Sequence, residues 1–189
     1  MGFLAEQNNF MAGLALLDVK AILEALDVAP GSHVADLAAG RTGHFVVPLS
    51  RIVGSEGQVY GVDLLPEVVA ALEGHRTHHG LTQLRPIWGD VERHRGVAID
   101  NESLDLALLI NALGSMKERE VAARETMRLM KPKGRIVVID WLASAKHPLA
   151  KLARSVPAEH VDAIFDHVGC QKCGEFKPSA WHYGRVYSS

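Results

Sequence analysis

The sequence predicts an α/β fold, a doubly wound and mostly parallel seven-stranded sheet with an antiparallel C-terminal strand. Short apolar runs alternate with segments of helical periodicity, the pattern of successive right-handed βαβ units. The run Leu104–Ile110 is apolar almost throughout, as expected of a central parallel strand covered on both faces. Only Lys177–Ala180 separates the last two predicted strands, which favours a hairpin. The strand His182–Tyr187 is therefore predicted to run antiparallel beside the fifth or the sixth strand.

Helices are predicted where apolar residues recur three and four positions apart. Pro30 and Gly31 end the first helix. Pro48 is tolerated near the first turns of the second, because the N–H groups there have no intrahelical partner. Gly80 can cap the third helix at its C-terminus. The apolar stripes place the helices over Val19–Leu26, Phe45–Ile52, Val68–His75, Ala123–Met130 and Val161–Val168.

Strands are predicted from short apolar runs that end in polar or turn-forming residues. The small-residue turn Ala38–Gly43 follows the first strand, and Asp63 closes the second. A turn over Lys131–Gly134 is expected between the fourth helix and the fifth strand. The predicted strands are His33–Leu37, Gln58–Val62, Leu84–Trp88, Leu104–Ile110, Arg135–Asp140, Cys170–Phe176 and His182–Tyr187.

Composition and charge are those of one globular domain over residues 1–189. The chain has 20 Lys and Arg against 22 Asp and Glu, a formal net charge of -2, and 48% hydrophobic residues. This balance supplies no broad basic field, so no nucleic-acid partner is expected. No run approaches the ~18 apolar residues of a membrane span, and we expect a cytoplasmic protein. The composition leaves the oligomeric state open.

Cys170 and Cys173 form a single CxxC pair. Zinc or redox chemistry would require a second pair of ligands or a thioredoxin-like turn from strand to helix, and the sequence shows neither. Both cysteines are therefore interpreted as ordinary strand residues, and no metal site is predicted.

Polar and small residues follow the predicted strands, where the C-terminal ends of parallel strands meet. These residues are Asp36 to Gly43, Asp63, Asp90, Asn111, and Asp140 with Trp141, after the first to fifth strands in turn. Small residues let the backbone approach a ligand closely and aim free helix N–H groups at it. A carboxylate at the second strand end can accept from both ribose hydroxyls, and one at the third can accept from the adenine amine. Together these residues predict a nucleoside site.

Five segments resemble, in order and spacing, the motifs of one known family, the class I S-adenosylmethionine-dependent methyltransferases. The similarity is to the small, minimal type allied to the ubiquinone/menaquinone C-methyltransferases, and it runs from Ala29 to Trp141. The matching segments are Pro30–Gly40, Val59–Asp63, Gly89–Glu92, Ser103–Leu109 and Leu129–Arg135. The resemblance implies the Rossmann-like fold of that family.

The resemblance also implies a cofactor and a reaction. The cofactor is S-adenosylmethionine, the product is S-adenosylhomocysteine, and the methyl group passes to a small-molecule acceptor by in-line displacement. Asp63 is then the ribose acceptor, Asp36 meets the amino group of the methionine moiety, and Asp90 with Val91 borders the adenine. Arg41 could pair with the cofactor carboxylate. The implied cofactor-binding residues are Asp36, Ala38, Gly40, Arg41, Gly43, Asp63, Leu64, Asp90, Val91 and Asn111.

Two residues depart from the family pattern. The first glycine of the first loop is replaced by Ala38, and the loop is one residue longer. An alanine at a position that needs a positive φ would cost about 1 kcal/mol of strain. We therefore expect Gly40 and Gly43, rather than position 38, to make the close backbone approach that backs the methionine moiety. Lys133 replaces another glycine, in a turn remote from the ligand.

No catalytic residue is assigned, because a sulfonium is already a strong electrophile and alignment can supply much of the rate. His44, Asn111 and Trp141 are candidates for side chains near the reacting methyl group or the acceptor. The segment that begins at Asn111 lacks the Asn/Asp-Pro-Pro-aromatic signature of enzymes that methylate the amino groups of bases and amides. Met1–Leu16 and Leu142–Val156 are the segments that could form a lid, with Met1–Leu16 as the N-terminal one.

Two other functions are compatible with this fold. A nicotinamide-dependent oxidoreductase shares the alternating elements and the acid after the second strand, but the first loop lacks GxGxxG at the required spacing. A non-catalytic methyltransferase-fold domain could keep a degenerate nucleoside pocket for scaffolding or sensing. Ala38 and the longer loop are the main support for that second alternative.

Overall fold

The computed structural model describes residues 16–151 and 153–189. Strands and helices alternate in this part of the chain, and the predicted fold class is confirmed. The helices are α1 (Val19–Leu26), α2 (Val46–Val53), α3 (Pro66–His79), α4 (Arg119–Leu129) and α5 (Ala158–His167). The strands are β1 (His33–Asp36), β2 (Gln58–Asp63), β3 (Leu84–Trp88), β4 (Leu104–Ile110), β5 (Met130–Trp141), β6 (Gln171–Phe176) and β7 (His182–Ser188).

The strands form one seven-stranded sheet in the order β3-β2-β1-β4-β5-β7-β6. Strands β1 to β5 are mutually parallel, whereas β7 lies antiparallel between β5 and β6. The predicted antiparallel strand is therefore confirmed, and it borders both of the strands considered. The chain order reverses between β1 and β4, so a crevice opens outside the C-terminal ends of these strands.

The helices cover both faces of the sheet. Leu23 of α1, Leu49 of α2 and Leu72 of α3 share one buried apolar cluster. Ala123 of α4 and Phe165 of α5 belong to a second cluster, on the opposite face. The alternating side chains of β4 supply both clusters, which explains why its sequence is apolar almost throughout.

The helix ends follow the signals in the sequence. Asp18 caps α1, because its side chain accepts a hydrogen bond from the Ala21 N–H at 3.0 Å. Gly80 caps α3 in a left-handed conformation with φ of 64°, as predicted, and its N–H points to the carbonyls of Arg76 and Thr77. The bounds of α1, β3 and β4 are those predicted, and the other elements differ from the predicted bounds by a few residues at one or both ends.

The predicted turn over Lys131–Gly134 is wrong. The structure places these residues inside β5, which begins at Met130, a residue predicted to end the preceding helix. Met130 already pairs with Leu104, and the register between β4 and β5 then shifts before Leu106. Lys133 absorbs this irregularity with a φ of 66°, a conformation that costs little only for glycine.

The strain at Lys133 gives a stability prediction. Lys133→Gly should raise the free energy of unfolding by about 0.5–1 kcal/mol, because glycine adopts the left-handed conformation without strain. Little packing is lost, since the Lys133 side chain is exposed. Lys133→Ala is the matched control, since it removes the same side chain but keeps a Cβ at positive φ. Thermal unfolding measures both, and an equal change in the two variants would contradict the assigned strain.

Candidate active site

The parallel strands deliver the predicted polar residues to one edge of the sheet. Asp36, Asp63 and Trp141 are the last residues of β1, β2 and β5. Asn111 directly follows β4, and Asp90 lies two residues beyond β3. These ends share one side of the sheet, because the five strands run in the same direction. The structure therefore assembles the predicted constellation at the C-terminal edge.

Asp63 ties the loop after β1 to the end of β2. Its Oδ2 accepts a hydrogen bond from the Gly40 N–H at 3.2 Å, and its Oδ1 accepts one from the Leu65 N–H at 3.1 Å. Burial is the largest influence on the Asp63 carboxyl and raises its pKa, whereas these N–H donors lower it. Each oxygen keeps a further lone pair, so the carboxylate can still accept from a ligand.

Asp36 is a buried carboxyl, only 2% exposed. Its burial raises its pKa to about 7, and the neighbouring charge of Asp63 acts in the same direction. The Ala38 N–H donates to its Oδ1 at 3.3 Å and partly offsets this effect. The end of β1 thus holds a carboxyl that an arriving cationic group would stabilise in its charged form.

The loop after β1 is fixed by backbone hydrogen bonds to both neighbouring strands. The Leu37 N–H donates to the Leu108 carbonyl, and the Ala39 N–H donates to the Val62 carbonyl, at 2.9 and 3.0 Å. The strain considered for Ala38 does not arise, because Ala38 does not adopt a positive φ. The left-handed positions are Gly40 and Gly43, with φ of 64° and 59°. Alanine is therefore compatible with position 38.

Gly43 is buried against the helices on one face of the sheet. A Cβ at this position would lie 3.1–3.3 Å from side-chain carbons of Val46, Val47 and Leu72. The space that this glycine leaves is thus taken by α2 and α3, which pack closely beneath the loop. Its predicted contact with the methionine moiety remains a prediction.

The residues predicted around adenine follow β2 and β3. Asp90 accepts from the Glu92 N–H at 3.0 Å through Oδ1, and its Oδ2 lies 3.0 Å from Nε of the exposed Arg93. Val91 is buried in the core, whereas Leu64 is exposed beside Asp63. The exposed Trp88, which the sequence analysis did not select, donates its Nε1–H to the Leu64 carbonyl at 2.9 Å.

Arg41 and His44 lie on the outer part of the loop. The Arg41 side chain is exposed, and His44 is half-buried just before α2, with its ring 6.4 Å from that of Phe45. The sequence analysis missed His75 of α3, whose Nε2 lies 3.2 Å from the Arg41 carbonyl oxygen. This contact joins the loop to α3, and it depends on tertiary packing that the sequence pattern does not reveal.

Asn111 is the most unusual of the predicted residues. It is a buried non-glycine residue with φ of 52°, and its N–H donates to the Ile139 carbonyl at 2.7 Å. Neither Oδ1 nor Nδ2 of its side chain has a hydrogen-bond partner. A left-handed asparagine is tolerated better than most residues, but a buried amide without partners is uncommon.

Two further residues lie at this edge: Asp140, which belongs to the predicted strand-end set, and His182, which the sequence analysis did not select. Asp140 accepts from the Trp141 N–H at 2.7 Å through Oδ1, and its buried Oδ2 has no partner. His182 lies in register with Trp141, and the two rings are 4.2 Å apart. Its Nδ1 is 2.7 Å from Ser179 Oγ, whereas its buried Nε2 has no partner. Only side-chain contacts could reveal such atoms, so the sequence gave no signal for His182.

The segment after β5, one of the two predicted lid segments, lies against the loop after β4. A Cβ on Gly114 would collide with the carbonyl oxygens of Ala153 and Arg154. The Leu142 N–H donates to the Trp181 carbonyl at 2.8 Å, which anchors the start of the segment. The other predicted lid segment, Met1–Leu16, lies outside the described residues except for Leu16.

Cys170 is buried before β6, and Cys173 is exposed within it. Among the residues that the structure describes, no group of three or more His, Cys, Asp or Glu side chains is placed to hold a metal ion. The helices of that same part are too short or too polar to cross a membrane.

Comparison with known proteins identifies the family. The model of a methyltransferase domain family matches residues 29–177, so the chain belongs to that family. Its Rossmann-like fold is that of S-adenosylmethionine-dependent methyltransferases, and the predicted alliance with the quinone C-methyltransferases is confirmed. The predicted cofactor, S-adenosylmethionine, is the one that this family implies.

Two curated relatives show how far the likeness extends. The demethylmenaquinone methyltransferase of Staphylococcus epidermidis is 25% identical over 158 residues, which cover 84% of this chain and 63% of the relative. The ubiquinone/menaquinone biosynthesis C-methyltransferase UbiE of Photorhabdus laumondii is 27% identical over 178 residues, or 90% and 66% of the two chains. The chain thus spans about two thirds or less of the curated relatives that it matches.

Solved structures share the fold at low identity. An S-adenosylmethionine-dependent methyltransferase from Aquifex aeolicus superposes with a TM-score of 0.81 at 20% identity, covering 93% of this chain and 91% of that one. The [4+2]-cyclase SpnF superposes with a TM-score of 0.76 at 14% identity, covering 90% and 79%. A fold shared with a cyclase shows why the chemistry must be argued from the site.

Asp36 gives a pH-dependent stability prediction. Its raised pKa means that the folded state binds more protons than the unfolded state between 3.8 and about 7, so its stability contribution falls as the pH rises through that window. Asp36→Asn keeps an acceptor for the Ala38 N–H and removes the charge. We expect the variant to raise Tm by a few degrees at pH 8 and by much less at pH 5.

The control for this prediction is Asp166→Asn, at an exposed position on α5. Thermal unfolding followed by circular dichroism at both pH values measures the two variants. Equal shifts for Asp36→Asn at pH 5 and pH 8 would show that the buried carboxyl is not the cause.

Proposed function

We propose that this chain is an enzyme that transfers a methyl group from S-adenosylmethionine to a small-molecule acceptor. The observation that carries the proposal is the pair of neighbouring carboxyls, Asp36 and Asp63, beside the left-handed Gly40. The pair occupies the crevice where open α/β sheets bind ligands. Membership of the methyltransferase domain family supports the same reading.

The described residues fit the cofactor in two respects. Asp36 is a buried carboxyl whose charge is offset by no cationic side chain within residues 16–151 and 153–189, so an ammonium group such as that of the methionine moiety would suit it. Asp63 is only partly buried, and its oxygens retain acceptor capacity for ribose hydroxyls. Position 38 needs no glycine, which removes the main support for a degenerate pocket.

The protein's contribution to the reaction is to bind and align. When bound, the cofactor supplies an electrophilic methyl group on a sulfonium. Asp36 would hold the ammonium group and Asp63 the ribose, while Asp90 and Val91 border the adenine. These residues would bind and orient the cofactor, so that an acceptor could be aligned with its methyl group. Such positioning is worth many orders of magnitude in rate without a dedicated base.

The acceptor is proposed only as a small molecule. Demethylmenaquinone is named for the Staphylococcus epidermidis relative, and it is the first acceptor to assay with this chain. The segment after β5 is the proposed cover of the acceptor side, together with the N-terminal segment. Release of S-adenosylhomocysteine in the presence of an acceptor, and not in its absence, is the direct test of turnover.

Asp63 provides the binding test. Asp63→Ala should weaken S-adenosylhomocysteine binding by about 1.5–3 kcal/mol, because charge-assisted hydrogen bonds to the ribose are lost. Asp100→Ala, at an exposed position after β3, is the control. Isothermal titration calorimetry measures both, with NAD titrated into the wild type as the competing ligand. An unchanged dissociation constant in folded Asp63→Ala, or tight binding of NAD instead, would refute the assignment.

A further inference from the structure

The loop after β3 (residues 89–103) contains no helix or strand, although it carries Asp90 and Val91, the residues proposed to border the adenine. The first part of this loop closes on itself. The Asp90 N–H donates to the Gly96 carbonyl at 3.0 Å, and a Cβ on Gly96 would lie 2.0 Å from the Asp90 carbonyl oxygen. The position of Asp90 therefore depends on the position of Gly96.

The buried carboxylate of Glu125 holds the chain on both sides of Gly96. Glu125 lies on α4 and is 2% exposed. Its Oε2 accepts from the Arg95 N–H at 2.9 Å, and its Oε1 accepts from the Val97 N–H at 3.2 Å. Each oxygen thus binds one of the two residues that flank Gly96. Glu125 is thereby connected to Asp90 through Gly96.

Arg128, about one turn further along α4, completes this attachment. Its Nε and Nη2 donate to the two oxygens of Glu125 at 2.9 and 2.7 Å. The same guanidinium donates to the carbonyls of Val97 and Ile99, both at 3.1 Å, and to Asn101 Oδ1 at 2.6 Å. Burial raises the pKa of Glu125, but Arg128 and the two backbone donors outweigh this effect and hold the pKa below its usual value. Glu125 is therefore a charged acceptor at neutral pH.

Glu92 attaches the loop to the start of the same helix. Its Oε1 accepts from the N–H groups of Lys117 and Glu118, at 2.5 and 2.6 Å. Glu118 is the N-cap residue of α4, where backbone N–H groups have no partner within the helix. Glu92 comes directly after Val91, so the loop is fastened to α4 at two points, one beside Val91 and one around Gly96.

A role in stability alone does not explain this arrangement. A buried ion pair contributes little net stability, because the cost of removing both charges from water offsets their attraction. Within residues 16–151 and 153–189, the hydrogen bonds that the Glu125 and Arg128 side chains make outside their own pair all go to residues 95–101. Arg95 also has a φ of 52°, a strained conformation that persists only where the surroundings hold it. The pair therefore specifies the conformation of one loop.

The conformation of this loop decides whether Asp90 can bind adenine. Asp90 is half-buried, and its carboxylate oxygens keep lone pairs for the adenine amine. A hydrogen bond to that amine requires a distance of about 2.7–3.2 Å, so a displacement of about 1 Å would break it. Glu125 and Glu92 are not proposed to touch the cofactor, and they act on it only through the loop.

We propose that Glu125 and Glu92 are positioning residues, which hold Asp90 where it accepts a hydrogen bond from the amino group of adenine. Arg128 supports Glu125 in this role. Helix α4 thereby sets the selectivity of the site for an aminopurine. This inference rests on the proposed S-adenosylmethionine-dependent function and adds the residues that determine which base the site accepts.

The test compares S-adenosylhomocysteine with S-inosylhomocysteine, in which a carbonyl oxygen replaces the amino group of the base. Isothermal titration calorimetry with the full chain measures both dissociation constants. The wild type should bind S-adenosylhomocysteine about tenfold more tightly or better, because the carbonyl oxygen would face the carboxylate of Asp90. The ratio of the two dissociation constants reports the position of Asp90, whereas a uniform loss of binding leaves that ratio unchanged.

Glu125→Gln disturbs the two backbone contacts and keeps the shape of the side chain. A glutamine has one oxygen, so it accepts from the Arg95 N–H or from the Val97 N–H, and its own N–H donors face the other. We expect the selectivity ratio to fall to about threefold or less. Glu92→Ala should lower the ratio in the same direction. Glu92 is only half-buried, so this second variant tests the proposal even if Glu125→Gln does not fold.

Asp162→Asn is the control for a loss of stability. Asp162 of α5 accepts from the Tyr187 hydroxyl at 2.6 Å and from Arg185 Nε at 3.2 Å. Both partners lie on β7, which four strands separate from β3 in the sheet. This variant should lower Tm and leave the selectivity ratio unchanged.

The failures of the two proposals are distinguishable. A wild type that does not bind S-adenosylhomocysteine would refute the proposed function, and this inference with it. Normal binding without a preference for the aminopurine, or with the same ratio in the wild type and in both variants, would overturn this inference only. A ratio that falls as far in Asp162→Asn would assign the effect to general destabilisation and would also overturn it.

Discussion

The carboxylate of Asp63 organises the site, because its two oxygens hold the Gly40 and Leu65 N–H groups at the same time. Through this single side chain, the loop after β1 is fastened to the end of β2. The same charge lies near the buried carboxyl of Asp36 and helps to raise its pKa. The fold thus concentrates two acidic groups in a crevice, at a cost that a cationic ligand would offset.

Buried polar atoms without hydrogen-bond partners are a second destabilising feature of the same sheet edge. Beyond the switch in strand order, Asn111, Asp140 and His182 are buried with atoms that bind nothing. Stable cores avoid both neighbouring buried carboxyls and buried polar atoms without partners, and here both features lie at the C-terminal ends of neighbouring strands. The apolar clusters on the two faces of the sheet supply the stability.

Periodicity and strand-end residues predicted the sheet, its antiparallel strand and the set of acids at its edge, because these features depend on local patterns and chain order. The start of β5 was predicted wrongly, since Met130 and Lys133 read locally as helix end and turn, but pairing with β4 extends the strand. His182 and the contact of His75 with the Arg41 carbonyl depend on tertiary neighbours, which a single sequence does not encode in any periodic signal.

The central claim is that the edge holds a carboxyl whose proton is displaced when the cofactor binds. Carbon-13 NMR of the Asp36 carboxyl, titrated with pH in the free chain and in the chain saturated with S-adenosylhomocysteine, tests it directly. The account predicts a pKa near 7 in the free chain, in line with its burial, and a decrease of more than about one unit when the ammonium group of the ligand is bound. A carboxyl that titrates at the ordinary pKa of 3.8, or one that the ligand does not affect, would contradict it.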